Sequence, residues 1–197
     1  MNPNRTSTFL VAIAMVLALS GCAREAAGDY PASNGSNCLP DVSLIDQHGQ
    51  AISLASLKGK PVLIDFIYTS CASTCPVLTS KIAAVARELG PALGANVTIV
   101  SITLDPEHDT PAQLASYAKS QGANSNSWRF LTGKPADIDQ VLAAFKLRRM
   151  RESDGSIMHS VSAFLLGPDG HQLRQYNALD VSPKAVAADI ERTSGKS

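Results

Sequence analysis

Short, near-continuous apolar runs alternate along the chain with stretches in which apolar residues recur every three or four positions. Pro61-Val62-Leu63-Ile64-Asp65-Phe66-Ile67 is rich in β-branched and aromatic side chains and short enough to predict a strand buried on both faces. From Val77 onward the apolar positions are Leu78, Ile82, Val85, Ala86 and Leu89, a helical spacing that Gly90-Pro91 ends. Asn96 to Leu104 predicts a second buried strand, Pro111 to about Ser120 a helix, Trp128 to Thr132 a third strand and Pro135 to about Leu147 another helix. Ahead of these, residues 39–57 read as a hairpin and a turn of helix. After them, Arg148 to Met158 predicts an exposed hairpin or flexible loop. Val161 to Leu166 and His171 to Tyr176 form a terminal hairpin around Gly167-Pro168-Asp169-Gly170, and a last amphipathic helix runs from about Ser182 to Thr193. The pattern defines an α/β chain: a central mixed sheet flanked by helices, with an N-terminal hairpin, in a thioredoxin-like fold.

In open α/β sheets chemistry gathers at the carboxyl ends of the strands. The first central strand ends in Tyr68-Thr69-Ser70-Cys71-Ala72-Ser73-Thr74-Cys75-Pro76, with Pro76 suited to a first helical turn. Two thiols thus stand at a strand-to-helix junction, where the partial positive charge of a helix start favours thiolates. Residues four apart share a helical face, and three intervening residues give a wider bite than the usual redox pair. Such a pair suits a soft ion, copper(I) foremost. Adding one imidazole would also tolerate copper(II), whereas structural zinc usually takes four protein ligands.

Four histidines could supply that imidazole. His48 and His171 fall in turns, where a solvated side chain is the default. His108 lies in the loop after the second central strand, and His159 immediately precedes the strand from Val161; chemistry alone does not choose between these two. Asp65 interrupts an apolar strand, so it is either a hydrogen-bonded core residue or a carboxyl that tunes the thiols. Arg148, Arg149 and Arg151 read as a solvated cluster, with an acidic partner or lipid headgroups as the sharper alternative.

Composition narrows the class. The 197 residues are 45% hydrophobic with 17 basic and 17 acidic side chains, enough for one sizeable core and without a basic patch for nucleic acid. The N-terminus stands apart: Arg5, the apolar run Phe9 to Leu19, then Leu19-Ser20-Gly21-Cys22 resemble a bacterial lipoprotein signal. That resemblance implies a signal over residues 1–21, cleavage before Cys22, lipidation of its thiol and a protein held on the periplasmic side of the cytoplasmic membrane. Residues 22–38, with Gly, Ser, Pro and Asn, read as a flexible tether, and 39–197 as the folded domain. Cys38 reads as a free or incidental thiol, with intermolecular pairing or a third sulfur ligand as alternatives.

Three elements in order carry a family resemblance. Phe66 to Pro76 resembles the signature of the Sco/SenC family of copper-binding, thioredoxin-like proteins. Asp105-Pro106-Glu107-His108-Asp109-Thr110-Pro111 is similar to its Asp-Pro-x-x-Asp-Thr-Pro element, and His159-Ser160 stands ahead of Phe164-Leu165-Leu166-Gly167-Pro168-Asp169-Gly170 as in that family. The resemblance implies that Cys71, Cys75 and His159 bind one copper ion, as Cu(I) or Cu(II). It implies a copper chaperone, a binding and delivery protein that needs no turnover, serving the CuA centre of cytochrome c oxidase. The partners would be the oxidase's copper-bearing subunit or another copper chaperone, and the chain would act as a monomer. The alternative is a thiol-disulfide oxidoreductase acting on the target's cysteines through Cys71 and Cys75; a peroxidase-like thiol protein lacks an identifiable activating arginine. The chain departs from many family members in carrying Met158 where they have aspartate before the histidine. Met158 is then either a soft auxiliary ligand or a methionine without a chemical role.

Overall fold

The computed structural model describes residues 38–123, 126–177 and 182–195; the signal, Cys22 and the tether as far as residue 37 lie outside the described residues. Nine strands and their helices follow the predicted order. Strands β1 (Ser43–Asp46) and β2 (Ala51–Ser53) form the opening hairpin, followed by a 3-10 turn over Leu54–Leu57. Next come β3 (Val62–Ile67), α1 (Thr74–Leu89), the one-turn α2 (Ala92–Ala95), β4 (Thr98–Thr103), α3 (Pro111–Ser120), β5 (Trp128–Thr132) and α4 (Pro135–Ala144). The chain closes with a small hairpin of β6 (Met150–Arg151) and β7 (Ile157–Met158), the strands β8 (Ser162–Leu166) and β9 (Gln172–Asn177), and α5 (Pro183–Thr193).

Seven strands share one mixed sheet in the order β2-β1-β5-β4-β3-β8-β9. Strand β3 runs parallel to β4 on one side and antiparallel to β8 on the other, and all six of its residues are buried. This is why its sequence is apolar without alternation: helices cover its faces and strands occupy both its edges. Strand β4 is buried in the same way and pairs in parallel with β5. Around them, α1 packs on α5 and α3 lies against β5. The rings of Phe66, Phe145 and Phe164 meet pairwise, with centroids 5.7 Å (Phe66–Phe145), 6.1 Å (Phe66–Phe164) and 4.8 Å (Phe145–Phe164) apart, so one aromatic cluster joins β3, the end of α4 and β8.

Two expectations are sharpened or corrected. Helix α4 stops at Ala144 rather than near Leu147, and Lys146 takes the left-handed conformation (φ 57°) that turns the chain out of the helix. Residues 148–158 are a hairpin, not a loose loop, closed by Glu152 N–H donating to the Ser156 carbonyl at 2.8 Å. Cys38 is half-buried, and its backbone forms an isolated antiparallel bridge with His171. The next residue, Leu39, donates its N–H to the Gly170 carbonyl at 3.2 Å, which ties the start of the fold to the terminal hairpin.

Because Phe164 is fully buried within the aromatic cluster, replacing it with alanine is expected to cost about 3–5 kcal/mol. Urea unfolding should show a lower midpoint at unchanged slope; a midpoint equal to wild type would mean the cluster is not part of the cooperative core.

Candidate metal centre

Strand β3 delivers its carboxyl end to a loop over Tyr68–Ser73, and α1 begins at Thr74. Ser73 occupies the N-cap position but makes no side-chain cap bond. The sulfur of Cys71 takes over that role, accepting from the Cys75 N–H at 3.4 Å and lying 3.6 Å from the Thr74 hydroxyl. Cys71 therefore precedes the helix while Cys75 sits in its first turn, and the loop's wrapping, more than a shared helical face, brings the thiols together. Both thiols are free and buried.

The two sulfurs differ sharply in acidity. Burial raises the Cys71 pKa, but the backbone N–H groups of Cys75 and Ser73, with the Thr74 hydroxyl and the Cys75 thiol, outweigh it and lower the value to about 6. Cys75 is pushed far above the ordinary thiol range, first by burial and then by the neighbouring Cys71 and Asp65 charges, against a backbone hydrogen bond from Tyr68. At neutral pH the pair is one thiolate and one thiol.

Two buried acidic side chains stand near the loop, and one of them holds it. Asp109 is buried, and its carboxylate accepts from the Thr69 N–H (3.1 Å), the Thr69 hydroxyl (2.5 Å) and the Thr103 hydroxyl (2.5 Å), clamping the loop to the end of β4. Capping of α3 falls to Thr110, which forms a capping box with Gln113. Asp65 lies fully enclosed in β3; Ser101 Oγ donates to its Oδ1 at 2.5 Å, while Oδ2 has no hydrogen-bond partner. Burial lifts its pKa to about 7, partly offset by that Ser101 bond. It is a hydrogen-bonded core residue, and its charge adds to the upward push on Cys75.

Tyr68 joins the thiol loop to the histidine hairpin. Its carbonyl accepts the Cys71 N–H at 3.2 Å, its hydroxyl accepts the Ile157 N–H at 3.4 Å, and its ring meets the His159 imidazole edge-to-face with centroids 6.0 Å apart. His159 is half-buried, and Nδ1–H donates to the Ser160 carbonyl at 3.0 Å, which leaves Nε2 as the nitrogen with a free lone pair. Burial also lowers its pKa, against the Ser160 bond, so the imidazole is neutral and able to ligate at pH 7. His108 is committed elsewhere: its Nδ1 is 2.8 Å from Asp105, whose carboxylate also takes Arg151 at 2.5 Å. Arg149 bonds Glu107 and Asp139. The arginine cluster is thus largely neutralised in ion pairs that fasten the hairpin, with Arg148 exposed beside them.

Cys71, Cys75 and His159 accordingly share one neighbourhood through Tyr68. Among the described residues, however, no three His, Cys, Asp or Glu side chains already converge at metal-binding distance. The donor set fits a soft ion: two sulfurs in an apolar enclosure and a neutral imidazole with one nitrogen held by a carbonyl. Sequence reasoning named the candidate donors but missed Tyr68 and Asp109 as the parts that hold their segments. The only available signals were an aromatic residue at the strand end and a second aspartate in the Asp105–Pro111 element.

A thioredoxin-like sheet bearing a Cys-x3-Cys loop at one strand end and a histidine ahead of the terminal hairpin defines a narrow class of thiol and metal proteins. The sequence profile described as SCO1/SenC matches residues 31–195, and the chain belongs to that family. It is 35% identical over 153 residues to the SCO1 protein homolog of Bacillus subtilis, covering 76% of this chain and 79% of that protein. The copper-bound ScoI of Bradyrhizobium japonicum superposes with TM-score 0.67 at 34% identity, over 77% of this chain and 96% of that one. BsSco, described with a disulfide switch and as a member of the Sco family of cytochrome c oxidase assembly proteins, gives TM-score 0.73 at 30% identity, over 85% and 98% of the two chains.

The split acidity has a measurable form. Alkylation of the reduced chain by iodoacetamide should rise with pH through about 6 and label Cys71, with Cys75 unmodified well above the ordinary thiol range. A free thiol ionises near 8.5. The stabilisation from the Cys71 thiolate is therefore complete above that value and is lost as pH falls through about 6. Parallel labelling of both cysteines with a midpoint near the free-thiol value would contradict the geometry.

Proposed function

We propose that the chain is a copper chaperone that binds one copper ion through Cys71, Cys75 and His159 and delivers it for assembly of the CuA centre of cytochrome c oxidase. The observation that carries this reading is the junction at Tyr68, which joins one thiolate, one thiol and a neutral imidazole with an open Nε2. Support also comes from the copper bound in the Bradyrhizobium relative and from the oxidase-assembly role stated for BsSco's family. Copper is cargo here: loading displaces the Cys75 proton and draws His159 onto the thiols, and release to a partner's ligands reverses both changes. The recipient would be the oxidase's copper-bearing subunit, with another chaperone as the source.

A second reading has its own observation. A thiolate at Cys71 beside a protonated Cys75 is the arrangement of a thiol-disulfide oxidoreductase, in which Cys71 attacks a target disulfide and Cys75 resolves the mixed disulfide. That chemistry would not need His159.

Anaerobic copper titration of the reduced full chain, followed by absorption and electron paramagnetic resonance, separates the two. The chaperone reading expects one tight equivalent with a thiolate-to-copper(II) band in wild type, lost or strongly altered in His159→Ala. Indistinguishable spectra for the two proteins would overturn the three-ligand site, and absence of any tight binding would leave the oxidoreductase reading.

We further propose that the chain is anchored on the periplasmic face of the membrane through a lipid on Cys22. Among the described residues no helix is long and apolar enough to cross a membrane. Lipidation would convert the Cys22 thiol to a thioether, so the intact mass of the membrane-extracted chain tests the anchor. A diacylglyceryl mass on a chain beginning at Cys22 is expected; an unmodified mature mass contradicts the anchor.

A further inference from the structure

Of the chain's four methionines, two lie in the first fifteen residues; Met150 and Met158 are the only ones in the described fold. Methionine ordinarily fills gaps in cores. Here neither does: Met150 and Met158 are 57% and 59% exposed, while the buried core is built from other apolar residues. They are also register partners across β6 and β7. Directly opposed residues on an antiparallel pair project to the same face, with Cβ atoms about 4.5–5.5 Å apart. Two unbranched thioether side chains at that spacing can bring both sulfurs to one ion.

We infer that Met150 and Met158 form a thioether site for copper(I) beside His159, where the ion is held before it enters the thiol pair. The inference rests on the copper reading above and adds the port of entry. Thioethers are soft, uncharged and do not titrate, so they select copper(I) over zinc or copper(II). The hairpin that carries them is fixed relative to the thiols: Ile157 N–H donates to the Tyr68 hydroxyl at 3.4 Å, and Arg151 bonds Asp105 at 2.5 Å. Met158 is followed directly by His159, so the pair lies one residue from the imidazole that packs on Tyr68. In the transfer, each copper–thioether bond breaks as a copper–thiolate bond forms, the Cys75 proton leaves to solvent, and the metal stays in the +1 state.

The test uses the full chain labelled with ¹³C at the methionine ε-methyl groups and titrated anaerobically with copper(I). In a Cys71→Ser, Cys75→Ser chain, the methyl signals of Met150 and Met158 are expected to shift together, and Met150→Leu with Met158→Leu should abolish the copper uptake that remains. Leucine conserves volume at exposed positions, so thermal unfolding should match the parent and exclude a folding defect. With the native cysteines restored, the leucine chain should load copper more slowly. Methyl signals that do not move on copper addition would overturn the site, and so would an unchanged loading rate in the leucine chain. If the leucine changes weaken only docking of a protein partner, the pair is an apolar contact and the inference fails. Failure of the thiolate site would appear separately, as a wild-type chain whose Cys71 and Cys75 take no copper while the methyl signals still shift.

Discussion

The N-cap residue of α1, Ser73, supplies no side-chain cap, and much of the site follows from that. The Cys71 sulfur takes its place, accepting the Cys75 N–H in the first turn. A sulfur that serves as a helix cap is stabilised as a thiolate, since free N–H groups and the helix dipole both favour negative charge. Once Cys71 is ionised, Cys75 one turn along is buried beside a negative charge, with Asp65 enclosed nearby, and holds its proton. One uncapped turn thus yields a thiolate and a thiol from two identical side chains.

That turn would carry no function if the loop could wander. Asp109 clamps Thr69 to Thr103, while Tyr68 links the loop to the segment bearing His159 through one hydroxyl and one ring face. The hairpin behind His159 is held by Arg149 and Arg151 through Glu107, Asp139 and Asp105. The Asp105–Pro111 segment therefore serves the site twice, clamping the thiols through Asp109 and holding the histidine's hairpin through Asp105 and Glu107. Among the described residues the imidazole and the two thiols do not converge at metal-binding distance.

The fold was legible because its strongest signals are local. Strands β3 and β4 read as buried because nothing polar alternates through them apart from Asp65, Ser101 and short threonines. Helix α1 read correctly from its apolar spacing and Gly90. The end of α4 did not, because a left-handed lysine gives no sequence signal of the kind a glycine would. Cys71 and Cys75 stood out as candidate donors from residue type and spacing, but preferring His159 over His108 needed the family resemblance. The structure supplies a physical reason for it, since His108 is bonded to Asp105 and His159 packs on Tyr68. Contacts between residues far apart in sequence, such as Tyr68 with Ile157 and Asp109 with Thr69, leave no periodic trace, and they are what sequence reasoning missed.

X-ray absorption at the copper edge of the loaded, reduced full chain tests the central claim most directly, because it counts the atoms bound to the metal. The account predicts two sulfur scatterers and one imidazole, with the imidazole signature absent in His159→Ala. A spectrum with two sulfurs and no imidazole, or with oxygen and nitrogen scatterers alone, would contradict it.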